Sequence, residues 1–577
     1  MHSVFVVLLG IAGMCFGWFV YSRFIAERIF RLDPEFVTPA HEFSDGVDFV
    51  PTNRYVLWGH HFTSVAGAAP IVGPAIAVYW GWAPAVAWVV LGTIFFAGVH
   101  DFGALWASNR HKARSIGVLS ESVVGARTRK LYMVVVFLLL LMVNSVFGVI
   151  IARAFVNTPS AVFPAWAAIV VALVIGQLLH RRFNLIALCI GGVAALYVSI
   201  YVGDLMPLEL PAMFGLAPQA NWILILFLYA AVASMLPVWV LLQPRDFING
   251  VQLFLGLALL YGAVLLVMPD IAAPAFNDRL GESAPSIVPL LFVTIACGAV
   301  SGFHGIVASG TSSKQLDREP DARFVGYLGA VGEGSLALIT IVAVTGVTLA
   351  ATTEEWHAMY SEFGSAGAAS FIQGGANLIS SGWGLPVGVA QTMLATMVVL
   401  FAGTTMDSGV RLQRYIIQEW GEIYGVPVLG NSVLATALAV GACLLLAFGA
   451  GGASGAGGLV LWPLFGSTNQ LLAGLTLLVL TVLLMKLGRP AWYTMAPMLF
   501  VLVMSFSAGV VTLNQLFAAG NYLLVGIGAI VLGTSVLVML EAASVIVSLR
   551  SGDTGQGTAA AAPGRPGASA SHSTDVR

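Results

Sequence analysis

The sequence predicts an all-α polytopic membrane protein of about 15 transmembrane helices. Of its 577 residues 58% are hydrophobic and 9% charged, where a soluble globular chain carries about 25% charged residues. Its mean hydropathy is +0.92. The apolar residues form unbroken stretches close to the ~20 residues a helix needs to cross a bilayer, not the ~10-residue alternating segments of an outer-membrane barrel. A formal net charge of -2 offers no basic excess for nucleic acid. Cys15, Cys189, Cys297 and Cys443 all lie inside apolar runs without disulfide or metal spacing and read as small core residues.

In order, the apolar segments fall near 3–20, 62–80, 83–106, 131–153, 162–180, 184–202, 221–243, 250–268, 287–308, 325–350, 385–406, 432–449, 459–485, 491–513 and 521–549. No positive charge precedes the first, whereas Arg23, Arg28 and Arg31 follow it, so it reads as an anchor with its amino end outside. An odd count then leaves the carboxyl end in the cytoplasm. Under this topology 23 of the Lys and Arg residues fall on the cytoplasmic side, and only Arg153 and Arg279 fall opposite, as the positive-inside rule requires. The chain therefore divides into a peripheral helix at 1–20, a cytoplasmic connection at 21–61, a core at 62–406, further transmembrane helices at 432–549 and a Gly, Ala, Ser and Pro rich tail at 551–577 expected to be disordered.

Breaks within spans come next, because backbone in hydrocarbon must satisfy its own hydrogen bonds. The second span carries Gly67-Ala68-Ala69-Pro70-Ile71-Val72-Gly73-Pro74, where each proline removes a donor and Pro70 crowds the carbonyl of Ala66. The spacing predicts an unwound segment there. The seventh span, with Leu236-Pro237-Val238-Trp239, is read as its counterpart, which gives two inverted five-helix repeats at 62–202 and 221–406. Interrupted helices in matching places of inverted repeats point to a transporter binding site.

Ionisable residues at depth are the coupling candidates. Glu333 is the deepest acid, and reads equally as a coupling group or a structural carboxyl; His304 and Asp101 follow. Asp407 reads as a hydrated cap at a span end. His60 and His61 are adjacent, so on a helix their side chains diverge by ~100°, and neither they nor His100 and His304 suggest a metal or haem site. No cofactor is expected.

The blocks Asp45-Gly46-Val47-Asp48, Gly59-His60-His61-Phe62, the 66–74 cluster, Pro244-Arg245-Asp246, Thr294 to His304, Leu461-Trp462-Pro463 and Asn469-Gln470 resemble those of the carbon starvation protein A (CstA) family of bacterial inner-membrane transporters. One position departs from the family pattern: Ala69 stands where glycine is expected. The resemblance implies a secondary carrier of the amino acid, polyamine and organocation superfamily with a LeuT-like core. It also implies uptake of peptides or pyruvate under carbon starvation.

A mechanism follows. A small carboxylate-bearing substrate would bind at Gly67, Ala68, Ala69, Pro70 and Gly73, with Pro237, Trp239 and His61, its anion against free amides at a half-helix start. A proton on Glu333, His304 or Asp101 would drive symport. Sodium is the rival ion, caged by Ser301, Ser309 and Thr311 with carbonyls of the broken second span. The absence of a Walker A pattern excludes ATP as the driver. Alternatives of another class are an intramembrane haem or metal enzyme, or a nutrient sensor. The partners implied are the substrate, the coupling ion and the lipid bilayer.

Overall fold

A computed structural model describes residues 2–551 except 47, 182, 214, 238–239, 282–283, 366, 451 and 453–456. The tail beyond 551, expected to be disordered, lies outside the described residues, as does Trp239.

The apolar stretches form helices because every backbone group then bonds within its own segment. In chain order they are α1 (Ser3–Phe30), the half-helices α2 (Arg54–Val65) and α3 (Ala69–Trp80), α4 (Trp82–Arg110), α5 (Ala126–Asn157), α6 (Pro159–His180), α7 (Ala187–Leu205) and α8 (Pro218–Met235). Then come α9 (Leu242–Val267) and the half-helices α10 (Ile287–Thr294) and α11 (Gly302–Gly310). The remainder are α12 (Arg323–Thr345), the shorter α13 (Ala368–Trp383), α14 (Val387–Ile423), α15 (Ser432–Gly449), α16 (Val460–Lys486), α17 (Trp492–Ala518) and α18 (Tyr522–Leu549). Among the described residues 13 helices are long and apolar enough to cross a membrane alone, and the pair α2 and α3, bent by 50°, makes a fourteenth crossing. That is one fewer than the sequence expectation of about 15; the short helices α10 and α11, where a ninth span was expected, pack on α3 and α2 respectively, so the second broken stretch runs beside the first in the opposite direction.

The chain is an all-α polytopic membrane protein, with two differences in detail from the sequence expectation. The second span begins at Arg54, because Asn53 caps the helix by accepting from the Tyr55 amide at 2.9 Å. His60 and His61 are thus more than a turn inside it. The seventh span is not interrupted: α8 ends at Met235, Pro237 follows in an exposed turn, and α9 is the next crossing. Proline just past a helix end is a stop signal, not a mid-span break. The second interruption is at 295–301.

The long helices α5 and α14 lie against each other across the centre. Around them the packing repeats: α12 lies on α2 and α3 while α4 lies on α11; α8 and α15 each pack on both α5 and α14; α9 packs on α2 and α14 while α16 packs on α11 and α5. The helices α6 and α7 stand beside α9, and α17 and α18 stand beside α16.

Candidate functional site

The first break is short. The Ala66 amide still donates to Phe62 at 2.9 Å, the Gly67 amide donates to Val65 at 2.9 Å, and the helix restarts with Ile71 and Val72 donating to Ala68 at 3.1 and 3.0 Å. Pro70, in the first turn of α3, has no amide to orphan. The amides of Ala68 and Ala69 donate to no group among the described residues. All of 65–80 is buried. Glycine is required at 67 because a Cβ there would stand 2.8 Å from Thr405 Oγ1 and 2.9 Å from the Phe147 ring, so the break rests directly on α5 and α14. Gly73 performs the same service toward the other broken span, where a Cβ would come 2.5 Å from the Thr294 carbonyl oxygen.

The second break spans seven residues, Ile295 to Ser301, and side chains of α16 brace its two ends, while the amides of 296–301 donate to no group among the described residues. Gln470 Nε2 donates to the Phe292 carbonyl at 2.5 Å and lies 3.3 Å from that of Ile295; Trp462 Nε1 donates to Thr294 at 3.3 Å. Asn469 Oδ1 accepts from the Phe303 amide at 3.0 Å, while its Nδ2 donates to Ser301 Oγ at 3.0 Å and reaches Cys297 Sγ at 3.2 Å. Ser301 is thus committed to Asn469. Thr311 is exposed beyond the far end of α11, about 13 Å away along a nine-residue helix. Ser309 Oγ donates to the Gly305 carbonyl at 2.6 Å and accepts from the Ile116 amide at 2.9 Å. The sodium cage expected from Ser301, Ser309 and Thr311 is therefore corrected: Ser301 and Thr311 lie at opposite ends of α11 and do not converge.

Three of the sequence candidates do converge. Asp101 on α4 has both carboxylate oxygens engaged, Oδ1 with His100 Nδ1 at 2.7 Å and Oδ2 with His304 Nδ1 at 2.8 Å. His304 Nε2 lies 3.2 Å from Glu333 Oε2 on α12. All four side chains are at most 2% exposed. His61 adjoins the group: its Nδ1 lies 2.8 Å from Ser312 Oγ, and a Cβ on Gly329, one turn before Glu333, would meet its ring at 2.8 Å. The ring nitrogens His61 Nε2 and His100 Nε2 and the oxygen Glu333 Oε1 have no hydrogen-bond partner, and His304 Nε2 meets Glu333 at ion-pair distance without the alignment of a hydrogen bond.

The chemistry follows from counting protons. With Asp101 ionised, both imidazoles donate from Nδ1, so the state of His304 is decided at Nε2. One proton shared between His304 Nε2 and Glu333 Oε2 gives either imidazolium and carboxylate or neutral ring and carboxylic acid, on the same heavy-atom frame. A second proton gives imidazolium beside carboxylic acid and changes the net charge by one. Groups buried this deeply and this close titrate as a unit.

Two cavities approach the first break from opposite ends. One, of about 390 Å³, opens at the face carrying the basic loops and reaches Ser64; it is lined by Lys314, Arg411, Asp246 and Tyr132 among others. The other, of about 270 Å³, opens at the opposite face and reaches Val72. The residues between, 65–71 with Phe147 and Thr405, separate them.

A further buried pair escaped the sequence reading. Asp407 is wholly buried, not a hydrated cap, and forms an ion pair with Arg245. Tyr229 bridges them, donating to Asp407 at 2.8 Å and accepting from Arg245 at 2.6 Å. The adjacent Asp246 lies 3.5 Å from His60. The signal was the charged block Pro244-Arg245-Asp246 at a span start, whose partner lies 162 positions away. Pro237, in its exposed turn, belongs to neither cavity, and no placement is described for Trp239.

The family model described as carbon starvation protein CstA matches residues 2–359 and 343–508. A peptide transporter CstA of Campylobacter jejuni is 31% identical over 575 residues, covering 88% of this chain and 80% of its own length. A pyruvate/proton symporter, BtsT, of Escherichia coli is 30% identical over 584 residues, covering 87% and 80%. Among solved structures, a manganese transporter of Eremococcus coleocola is similar with a TM-score of 0.45 and 11% identity, covering 88% of this chain and 99% of that one. The chain belongs to the carbon starvation protein CstA family.

Proposed function

We propose that this protein is a proton-coupled importer of small carboxylate-bearing nutrients, peptides or pyruvate, across the bacterial inner membrane. The observation that supports it most is the buried Asp101, His304 and Glu333 cluster, set beside two broken spans with a cavity on either side. A relative that bears the name pyruvate/proton symporter agrees with it.

In this reading the substrate carboxylate is held by the unpaired amides of Ala68 and Ala69 at the start of α3, where the helix dipole favours negative charge. The proton enters the His304 and Glu333 pair. Carrying both charges together cancels much of the cost of moving either through hydrocarbon. The moving units are two inverted repeats, α2 to α5 with α8 and α9, and α10 to α12 with α14 to α16, in which α6 and α7 are an inserted pair. In this reading the amino terminus lies outside and the basic loops lie in the cytoplasm, which the charge distribution supports.

The test is uptake of radiolabelled pyruvate and dialanine into proteoliposomes, with an imposed pH gradient or an imposed sodium gradient. The reading expects the pH gradient alone to drive accumulation and Glu333→Gln to lower it roughly tenfold or more, a barrier change above ~1.4 kcal/mol. Accumulation that follows sodium and ignores pH overturns it.

A further inference from the structure

The two cavities differ in charge. The one at the basic face is lined by three carboxylates, Asp48, Asp246 and Glu419, alongside His60, Lys314 and Arg411. The one at the opposite face has no acidic residue in its wall and one charged group, the guanidinium of Arg153, accompanied by the side-chain amides of Asn157, Gln373 and Gln391. Only two basic residues fall on this side of the chain, and Arg279 is committed to Glu354 at 2.7 Å. Arg153, near the end of α5, is exposed and has no ion-pair or hydrogen-bond partner among the described residues.

We propose that Arg153 is the entry site for the substrate carboxylate, which docks on its guanidinium before passing Val72 to the first break. This rests on the import reading above and adds to it the residue that selects for an anion. A guanidinium presents paired donors that match a carboxylate, and the amides around it supply neutral donors that need no counter-charge. At about 270 Å³ the cavity lies just below the ~300–1,000 Å³ typical of drug-sized ligands, so it suits a molecule of a few heavy atoms or a short peptide's end. Its single sign raises the local anion concentration.

The experiment is initial-rate uptake of pyruvate and dialanine into proteoliposomes by wild type, Arg153→Gln, Arg153→Lys and, as a control on the same face, Arg279→Gln. Pyruvamide and dialanine amide, which lack the carboxylate, serve as competitors. KM is read because it does not depend on how much protein inserts. The expected result is a KM about tenfold higher for R153Q, the loss of one charge-assisted hydrogen bond, an intermediate value for R153K and no change for R279Q. Wild-type KM should also rise with ionic strength, and the amides should compete poorly with wild type. An unchanged KM in R153Q, or amides that compete as well as the free acids, overturns the role of Arg153 while leaving import intact. Wild type that accumulates neither substrate overturns the import reading itself.

Discussion

The two broken spans solve one problem in different ways. At the second, seven residues leave the helix; Trp462 and Gln470 of α16 answer the carbonyls of Phe292, Thr294 and Ile295 and Asn469 answers the Phe303 amide, while the amides of 296–301 donate to no group among the described residues. At the first, three residues leave it, the backbone bridges most of the gap itself, and the amides of Ala68 and Ala69 stay unanswered among the described residues. Buried donors without partners are expensive, so the free amides of both breaks are where a polar ligand would gain most. The contrast is one of support: the second break is braced by side chains of a distant helix, whereas the first is held by its own backbone and by the close fit of Gly67 against Phe147 and Thr405.

That comparison can be broken by substitution. The largest effect is expected just outside the first break, at the pair that clamps α9 to α14. Asp407→Asn leaves Arg245 buried without its counter-charge and should cost ~3–5 kcal/mol, read as a lower melting temperature in detergent; melting equal to wild type would show that the pair is not structural. At the second break, Asn469→Leu orphans the Phe303 amide and the Ser301 hydroxyl at ~1–3 kcal/mol for each buried group. It should lower melting and uptake together, and lost uptake with unchanged melting would make Asn469 a ligand, reversing the contrast. Gly67→Ala presses a methyl on Thr405 and Phe147 and should cost ~1–3 kcal/mol. Here uptake should fall more than stability, and a variant that transports normally would remove the first break from the substrate path. Ser301→Ala is the mildest, ~0.5–1.5 kcal/mol for one hydrogen bond, with no change in ion dependence; a new loss of sodium response would restore the sodium rival.

Much of the fold was legible because hydropathy and charge report directly on the bilayer. The first break was legible for a local reason, since Pro70 has no amide to continue the preceding helix and suits the first turn of a new one; Pro74 lies within α3 and does not interrupt it. The second was not. Residues 295–301 contain no proline and read as an ordinary apolar stretch; their unwinding is enforced from α16, more than 160 positions away. Pro237 misled for the converse reason, because a proline ending a helix and one breaking it look alike before the helix ends are known. Within the site, Glu333 stood out by its depth in apolar sequence, whereas His304 and Asp101 were read near span ends, Asp101 being singled out by the histidine beside it. Asp407 did not, because a carboxylate near a span end looks hydrated until Arg245 is seen against it.

The central claim is that the His304 and Glu333 pair, anchored by Asp101, takes up the proton that travels with substrate. It is tested most directly by trapping a pH-sensitive dye inside sodium-free proteoliposomes and adding pyruvate or dialanine outside. The account predicts lumenal acidification that begins on substrate addition, tracks uptake and is absent in Glu333→Gln. Substrate accumulation with no acidification, or acidification in Glu333→Gln equal to that of wild type, would contradict it.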